Sequence, residues 1–184
     1  MFGPTVGLLL LLPALGAQDQ ESQQTPRMQF EALLKKFEDA GFAVGAPARA
    51  AKTDEDRRKK AIEAVREFDE LVPPFLDLAK KYPNDPVAVD VLVFVARQSK
   101  RGIDLSSPRL KAMREAMDIL VRDHVDNPKI GWLCLIRLSR HPSPLTDRFM
   151  RAVFENSSNR QVRGCACAAL AKYLGEKARI VNNL

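Results

Sequence analysis

The sequence predicts an all-α chain of about seven helices, and three observations carry that prediction. A capping residue followed by proline occurs at Thr25-Pro26, Asp85-Pro86, Ser107-Pro108, Asn127-Pro128 and Ser143-Pro144. In each, the side-chain oxygen can serve the orphan amides of a helix N-terminus, and proline suits the first helical position, where its missing N–H costs nothing. The stretches that follow repeat apolar residues at intervals of three and four, the period of one helix face. The later starts lie 22, 20 and 16 residues apart. Helix pairs therefore recur regularly, which suits antiparallel hairpins stacked as a short right-handed solenoid of tetratricopeptide- or HEAT-like type; an irregular helical bundle is the alternative.

Residues 1–17, MFGPTVGLLLLLPALGA, stand outside this pattern. An apolar run from Val6 to Leu12, then Pro13 and small residues, then the polar QDQESQQ, reads as a secretory signal peptide cleaved after Gly16 or Ala17. The expected location is the periplasm or cell envelope. A transmembrane span takes about twenty apolar residues, more than this run supplies, so none is expected. Residues 18–25 form a polar linker, and a helical domain occupies residues 26–184.

The first helix is expected over residues 26–41, with Phe30, Leu33, Leu34 and Phe37 on one face and Gly41 as its stop. A loop follows over residues 42–52, and the main helical body over residues 53–175. Thr53 caps a long helix whose face runs Ile62, Val65, Phe68, Val72, Leu76 and Ala79. Because that period continues across Pro73 and Pro74, a kink rather than a break is expected there. In DPVAVDVLVFVARQSK, Val87, Val89, Val91, Val93 and Val95 alternate as in a strand. The Asp85-Pro86 start and the lack of any partner strand favour a buried helix. Leu110, Met113, Met117, Leu120 and His124 mark an amphipathic helix. PKIGWLCLIRL is apolar almost all round, as in a central helix contacted on several sides. Leu145, Phe149, Ala152 and Val153 give the face of the penultimate helix. Asn159 can cap the last, with Val162, Ala166, Ala169, Leu170 and Tyr173 inward.

Charge is unevenly placed. Residues 1–96 carry 12 Lys+Arg against 15 Asp+Glu, a net of −3, whereas residues 97–184 carry 17 against 8, a net of +9. A basic half in an exported protein reads either as a solvated Arg-rich surface or as a face for an acidic protein partner or an anionic envelope component, with Arg148 and Arg151 on the polar face of the penultimate helix as candidate binding residues. Nucleic acid is not expected, because no recognition motif is present.

The three cysteines, Cys134, Cys165 and Cys167, are the candidates for chemistry. On a helix, residues two apart point about 200° away from each other, so Cys165 and Cys167 flank the inward face on opposite shoulders. A bond between them would unwind that turn. Their setting, GCACAALA, is the small-residue composition of close helix packing. Cys134, in the most apolar helix, reads as a small buried hydrophobe, and a bridge from it to Cys165 or Cys167 remains open in an oxidising compartment. His124 and His141 lack Cys or carboxylate neighbours at metal-ligand spacing, so neither a metal nor any other cofactor is expected. There is no phosphate-binding glycine loop, nucleophile elbow or carboxylate pair, and no catalytic residue is assigned.

Two stretches, FLDLAKKYPNDPVAVDVLVFVA and ENSSNRQVRGCACAALAKYL, resemble the helical N-terminal region found ahead of a thioredoxin-like (redoxin-type) domain in some exported bacterial proteins. There the first reads L-A-x-K-Y-P-x-D-P-x-A-x-D-A-L and the second N-x-x-R-x-V-x-G-x-A-C-x-A-L-A. Arg163 and Gly164 fall close to the usual positions, Cys167 matches the habitual cysteine, and Cys165 is additional. The likeness spans roughly Ala51 to Leu174. Those proteins carry their reactive cysteine in a downstream α/β domain, and no strand pattern or Cys-x-x-Cys occurs in this chain. The resemblance thus implies an exported, non-catalytic accessory or docking module of a thioredoxin-like system. A small exported thiol–disulfide or metal-handling protein using Cys165 and Cys167 is the alternative, and a structural envelope protein a third.

Overall fold

Each helix start marked in the sequence is capped as its residues require. The computed structural model describes residues 24–44, 50–98, 107–140 and 143–182. The leader, nearly all of the linker, and His141 lie outside them. Asp85 Oδ1 accepts from the Val87 amide at 2.8 Å, Asn127 Oδ1 from Lys129 at 3.0 Å, and Ser107 Oγ from Leu110 at 3.2 Å. Ser143 and Thr146 close a reciprocal capping box. Thr25, Thr53 and Asn159 cap their helices in the same way. Replacing one such side chain by alanine costs about 1 kcal/mol.

The helices are α1 (Pro26–Val44), α2 (Asp54–Asp69), α3 (Pro73–Lys81), α4 (Pro86–Ala96), α5 (Pro108–Asp123), α6 (Pro128–Trp132), α7 (Pro144–Asn156) and α8 (Arg160–Asn182). Beyond Trp132, α6 widens into a π turn over Leu133–Arg137 and tightens into a 3-10 turn over Leu138–Arg140. No strand occurs among the described residues. Helices α3, α5 and α7 neighbour one another in one layer and α4, α6 and α8 in a second, with α1 laid across α2, α3 and α4. The expected all-α architecture is what forms, as a helical bundle.

The valine-rich segment settles as α4. Val87, Ala88, Val89, Val91, Leu92, Val95 and Ala96 are all buried, so its odd-numbered valines serve a helix surrounded on most sides rather than one face of a sheet. Phe75 and Phe94 rings lie 4.5 Å apart, and Phe37 meets Phe68 at 4.5 Å, joining α1 to α4 in one aromatic cluster. Further along, Met113, Met117 and Leu120 of α5 meet Phe149, Met150 and Val153 of α7 and Val162, Ala166 and Ala169 of α8 in one continuous core.

Three expectations are corrected. The long helix from Thr53 breaks instead of kinking: Glu70 closes α2 and Pro73 opens α3. Two successive prolines withdraw two successive N–H donors, leaving the carbonyls of Asp69 and Glu70 without helical partners, more than a kink absorbs. The break also changes the helix phase, so Val72, Leu76 and Ala79 are buried while Ile62 and Val65 are 61% and 50% exposed. Gly41 does not stop α1, which runs on to Val44; the position where a Cβ would stand at Gly41 is 3.7 Å from the Phe68 ring, and this packing supports the extra turn. Finally, α6 is not surrounded: Ile130, Gly131, Leu133 and Cys134 are buried, but Trp132 is 66% exposed.

Two polar ties pin the stack. The guanidinium of Arg109, at the start of α5, meets the carboxylate of Asp69, at the end of α2, at 2.9 Å with both side chains buried. Burial pushes the guanidinium pKa down, and the Asp69 charge opposes that shift. Asp126, in the α5–α6 turn, accepts from Ser157 Oγ at 2.8 Å, Ser158 Oγ at 2.7 Å, the Ser158 amide at 2.7 Å and the Asn159 amide at 3.0 Å. These bonds, with Ser158 the strongest influence, hold its carboxyl at a pKa of about 2. The turn between α5 and α6 is thereby locked to the turn between α7 and α8.

Candidate binding surfaces

Each layer presents a furrow between neighbouring helices. In the first layer, the α5–α7 groove is floored by Met117, Val121, Leu145 and Phe149, with Asp118, Arg122 and Arg148 at its rim. Arg148 Nη2 donates to Asp118 at 3.3 Å, and Arg151 Nε to Asp147 at 3.0 Å. Both arginines expected to bind are exposed, as their helix face requires, and each pairs with a carboxylate of the protein itself.

In the second layer, Val93 of α4 and Arg97, the residue that closes α4, face Lys129, Trp132 and Leu133 of the α6 segment across a cleft of about 170 Å³. Its construction is legible one residue at a time. Asn127-Pro128 starts α6, so Lys129 and Trp132, three residues apart, share the outer face. Gly131 turns to α8, where an added Cβ would stand 3.2 Å from both the Cys165 Cβ and the Val162 Cα, and this close approach fixes the rotation of the helix. Leu133, buried, supplies the floor with Val93. The π turn begins at Leu133, immediately beside the indole; such turns recur at functional sites.

Among the described residues lining this cleft, the charged ones are both cations. Lys129 bonds to Asp90, whose carboxylate also receives Arg27 at 3.3 Å. The volume is below the roughly 300–1,000 Å³ of small-molecule pockets, so it suits one bulky side chain rather than a cofactor.

Cys134 takes the buried position expected of it, whereas Cys167 stands out to solvent instead of packing. Cys134 is fully buried, Cys165 half-buried and Cys167 exposed, and all three are free thiols. Burial, with Cys165 as a lesser influence, pushes the Cys134 thiol up to about 12, which suppresses its thiolate near neutral pH. Among the described residues no group of His, Cys, Asp and Glu could hold a metal ion. No described helix is long and apolar enough to cross a membrane.

Sequence reasoning missed Trp132, Lys129 and Arg97. The signal present was the i, i+3 placement of Lys129 and the single tryptophan on one face; the apolar character of PKIGWLCLIRL as a whole concealed it. Arg97 carried no local signal, since only the packing of α4 beside α6 brings it to the cleft. No protein-family model, curated protein or solved structure matches this chain.

Proposed function

We propose that this chain is a non-catalytic helical interaction module that seats a protein or peptide partner on its α4–α6 cleft. The observation that carries the reading is Trp132, 66% exposed above an apolar floor of Val93 and Leu133. A large aromatic side chain costs water an extensive apolar surface, and tryptophan over a pocket is a frequent centre of binding energy. The fully buried Cys134 and the shared carboxylates argue against a reactive centre. The leader-like residues 1–17 favour an exported setting, and the likeness to helical regions ahead of redoxin-type domains favours an accessory role in a thioredoxin-like system.

Because Trp132 is the single tryptophan, its emission reports on this cleft alone. Peptides selected from a random display library on the folded protein are expected to shift that emission to the blue and to lose binding on Trp132→Ala. Selected peptides that leave the emission unchanged and bind the variant equally well would place the working surface elsewhere.

A further inference from the structure

The charges around the α4–α6 cleft are already engaged within the chain. Lys129 pairs with Asp90, Asp90 also with Arg27, and Arg27 with Glu31, so two cations and two carboxylates form one network. Arg97 likewise has an interaction of its own. What this surface still leaves in water is apolar: the Trp132 indole, 66% exposed. Beside it lies a hollow of about 170 Å³, floored by Val93 and Leu133, which the indole walls without filling. A projecting bulky group and a space suited to one bulky group thus stand side by side on one patch. Such a patch matches itself: turned through half a revolution, each copy's indole meets the other's hollow.

We propose that this face pairs with a second copy of the chain about a two-fold axis, each copy's Trp132 entering the other's cleft and the two indoles stacking offset between the Val93–Leu133 floors. This rests on the interaction reading above and names the partner: each cleft is completed only by the other copy's indole. Offset stacking is a preferred arrangement of two aromatic rings, and it needs no charge from either side. Electrostatics favour this face over others. The chain carries a net +6, with +9 over residues 97–184, so two copies repel on most approaches. At the cleft the opposing charges are matched within each copy. Two indoles at roughly 150–250 Å² each supply a minority of the about 1,200–2,000 Å² of a stable interface, so the pairing belongs to the weak, concentration-dependent class.

Sedimentation of the chain from micromolar to millimolar concentration should show a monomer giving way to a dimer, with Trp132 emission moving to the blue in step. Trp132→Ala should weaken association by roughly thirtyfold or more, the size of a hot-spot loss. In Val93→Phe the added ring fills the hollow while the indole remains, and this variant should also stay monomeric. Mixing the two supplies one indole and one open hollow. Because Trp132 is the single tryptophan, Trp132→Ala is a silent titrant, and adding it should shift the emission of Val93→Phe to the blue. Should Val93→Phe lose its helical circular dichroism, the same titration is made against the parent at a concentration where it is monomeric, with the same shift expected. In 1 M salt, where the screening length falls to about 3 Å, association should hold or tighten, since screening removes only repulsion between two cationic copies.

Self-association that Trp132→Ala leaves intact would place the contact elsewhere and overturn the proposal. So would a steep loss of association in salt, which would make charged contacts its cause, or a titration with Trp132→Ala that leaves the emission unmoved. If the chain stays monomeric to millimolar concentration while library-selected peptides still shift the emission, the second copy fails as the occupant and the interaction reading stands. If neither a second copy nor any selected peptide moves the emission, both fall.

Discussion

The two furrows of this molecule are alike in construction and differ in what they leave open to solvent. Both run between neighbouring helices of one layer, and both have apolar floors continuous with the core. In the α5–α7 groove, Arg148 meets Asp118 at 3.3 Å, and both side chains remain largely in water. In the α4–α6 cleft the described lining is cationic and a tryptophan stands open to solvent. The difference shows that a count of arginines is a poor guide to a binding surface. Arginines beside carboxylates of their own fold are already served, whereas an exposed indole over a pocket has surface still to bury.

The largest expected effect separates the floor of the cleft from its wall. Leu133→Ala removes a fully buried side chain at the meeting of α4, α6 and α8, and should lower unfolding free energy by about 2–5 kcal/mol in urea titration. Trp132→Ala, one residue earlier, should stay within about 0.5 kcal/mol of the parent, as exposed substitutions do. Its effect should appear in binding instead, at about 2 kcal/mol or roughly thirtyfold in Kd, the size of a hot-spot residue. A large stability loss in Trp132→Ala would mean the indole belongs to the core, and the contrast between the furrows would dissolve.

Asp126 offers a different perturbation because it ties the turns that feed both furrows. Asp126→Ala should lower the thermal midpoint and weaken protection of the α5–α6 and α7–α8 turns in hydrogen exchange together. The sign of its pH dependence follows from a folded pKa of about 2 against an ordinary 3.8. The carboxylate contributes fully above the ordinary value, and that contribution is lost as pH falls toward 2. The gap between parent and variant should therefore be constant near neutrality and close in strong acid. A gap that persists unchanged at pH 2 would show that the bonds to Ser157, Ser158 and Asn159 are not what the charge stabilises.

The smallest effect sharpens the comparison from the other side. Asp118→Asn releases Arg148 in the α5–α7 groove and should change stability by less than about 1 kcal/mol, as exposed ion pairs do. A larger loss in urea titration would mean that the Arg148–Asp118 pair does more than hold two solvated side chains together.

What the sequence by itself determined is local. Asp85, Ser107, Asn127 and Ser143 each bond to an amide two or three residues on, so the helix starts need no information from elsewhere in the chain. The inward faces of α5, α7 and α8 were legible for the same reason, since a helix of uniform pitch carries its phase along. Where the pitch is interrupted, that inference fails. Two prolines separate α2 from α3, and Ile62 and Val65 then face water although they continue the apolar period of Leu76 and Ala79. Only the tertiary structure decided the rest. The Asp126 tie spans 31 to 33 residues, Asp69 meets Arg109 across two intervening helices, and Arg97 comes beside Trp132 only because α4 packs against α6. No periodicity encodes such meetings, because they depend on how whole helices stack, and exposure at Trp132 is a property of the stack rather than of the segment that carries it.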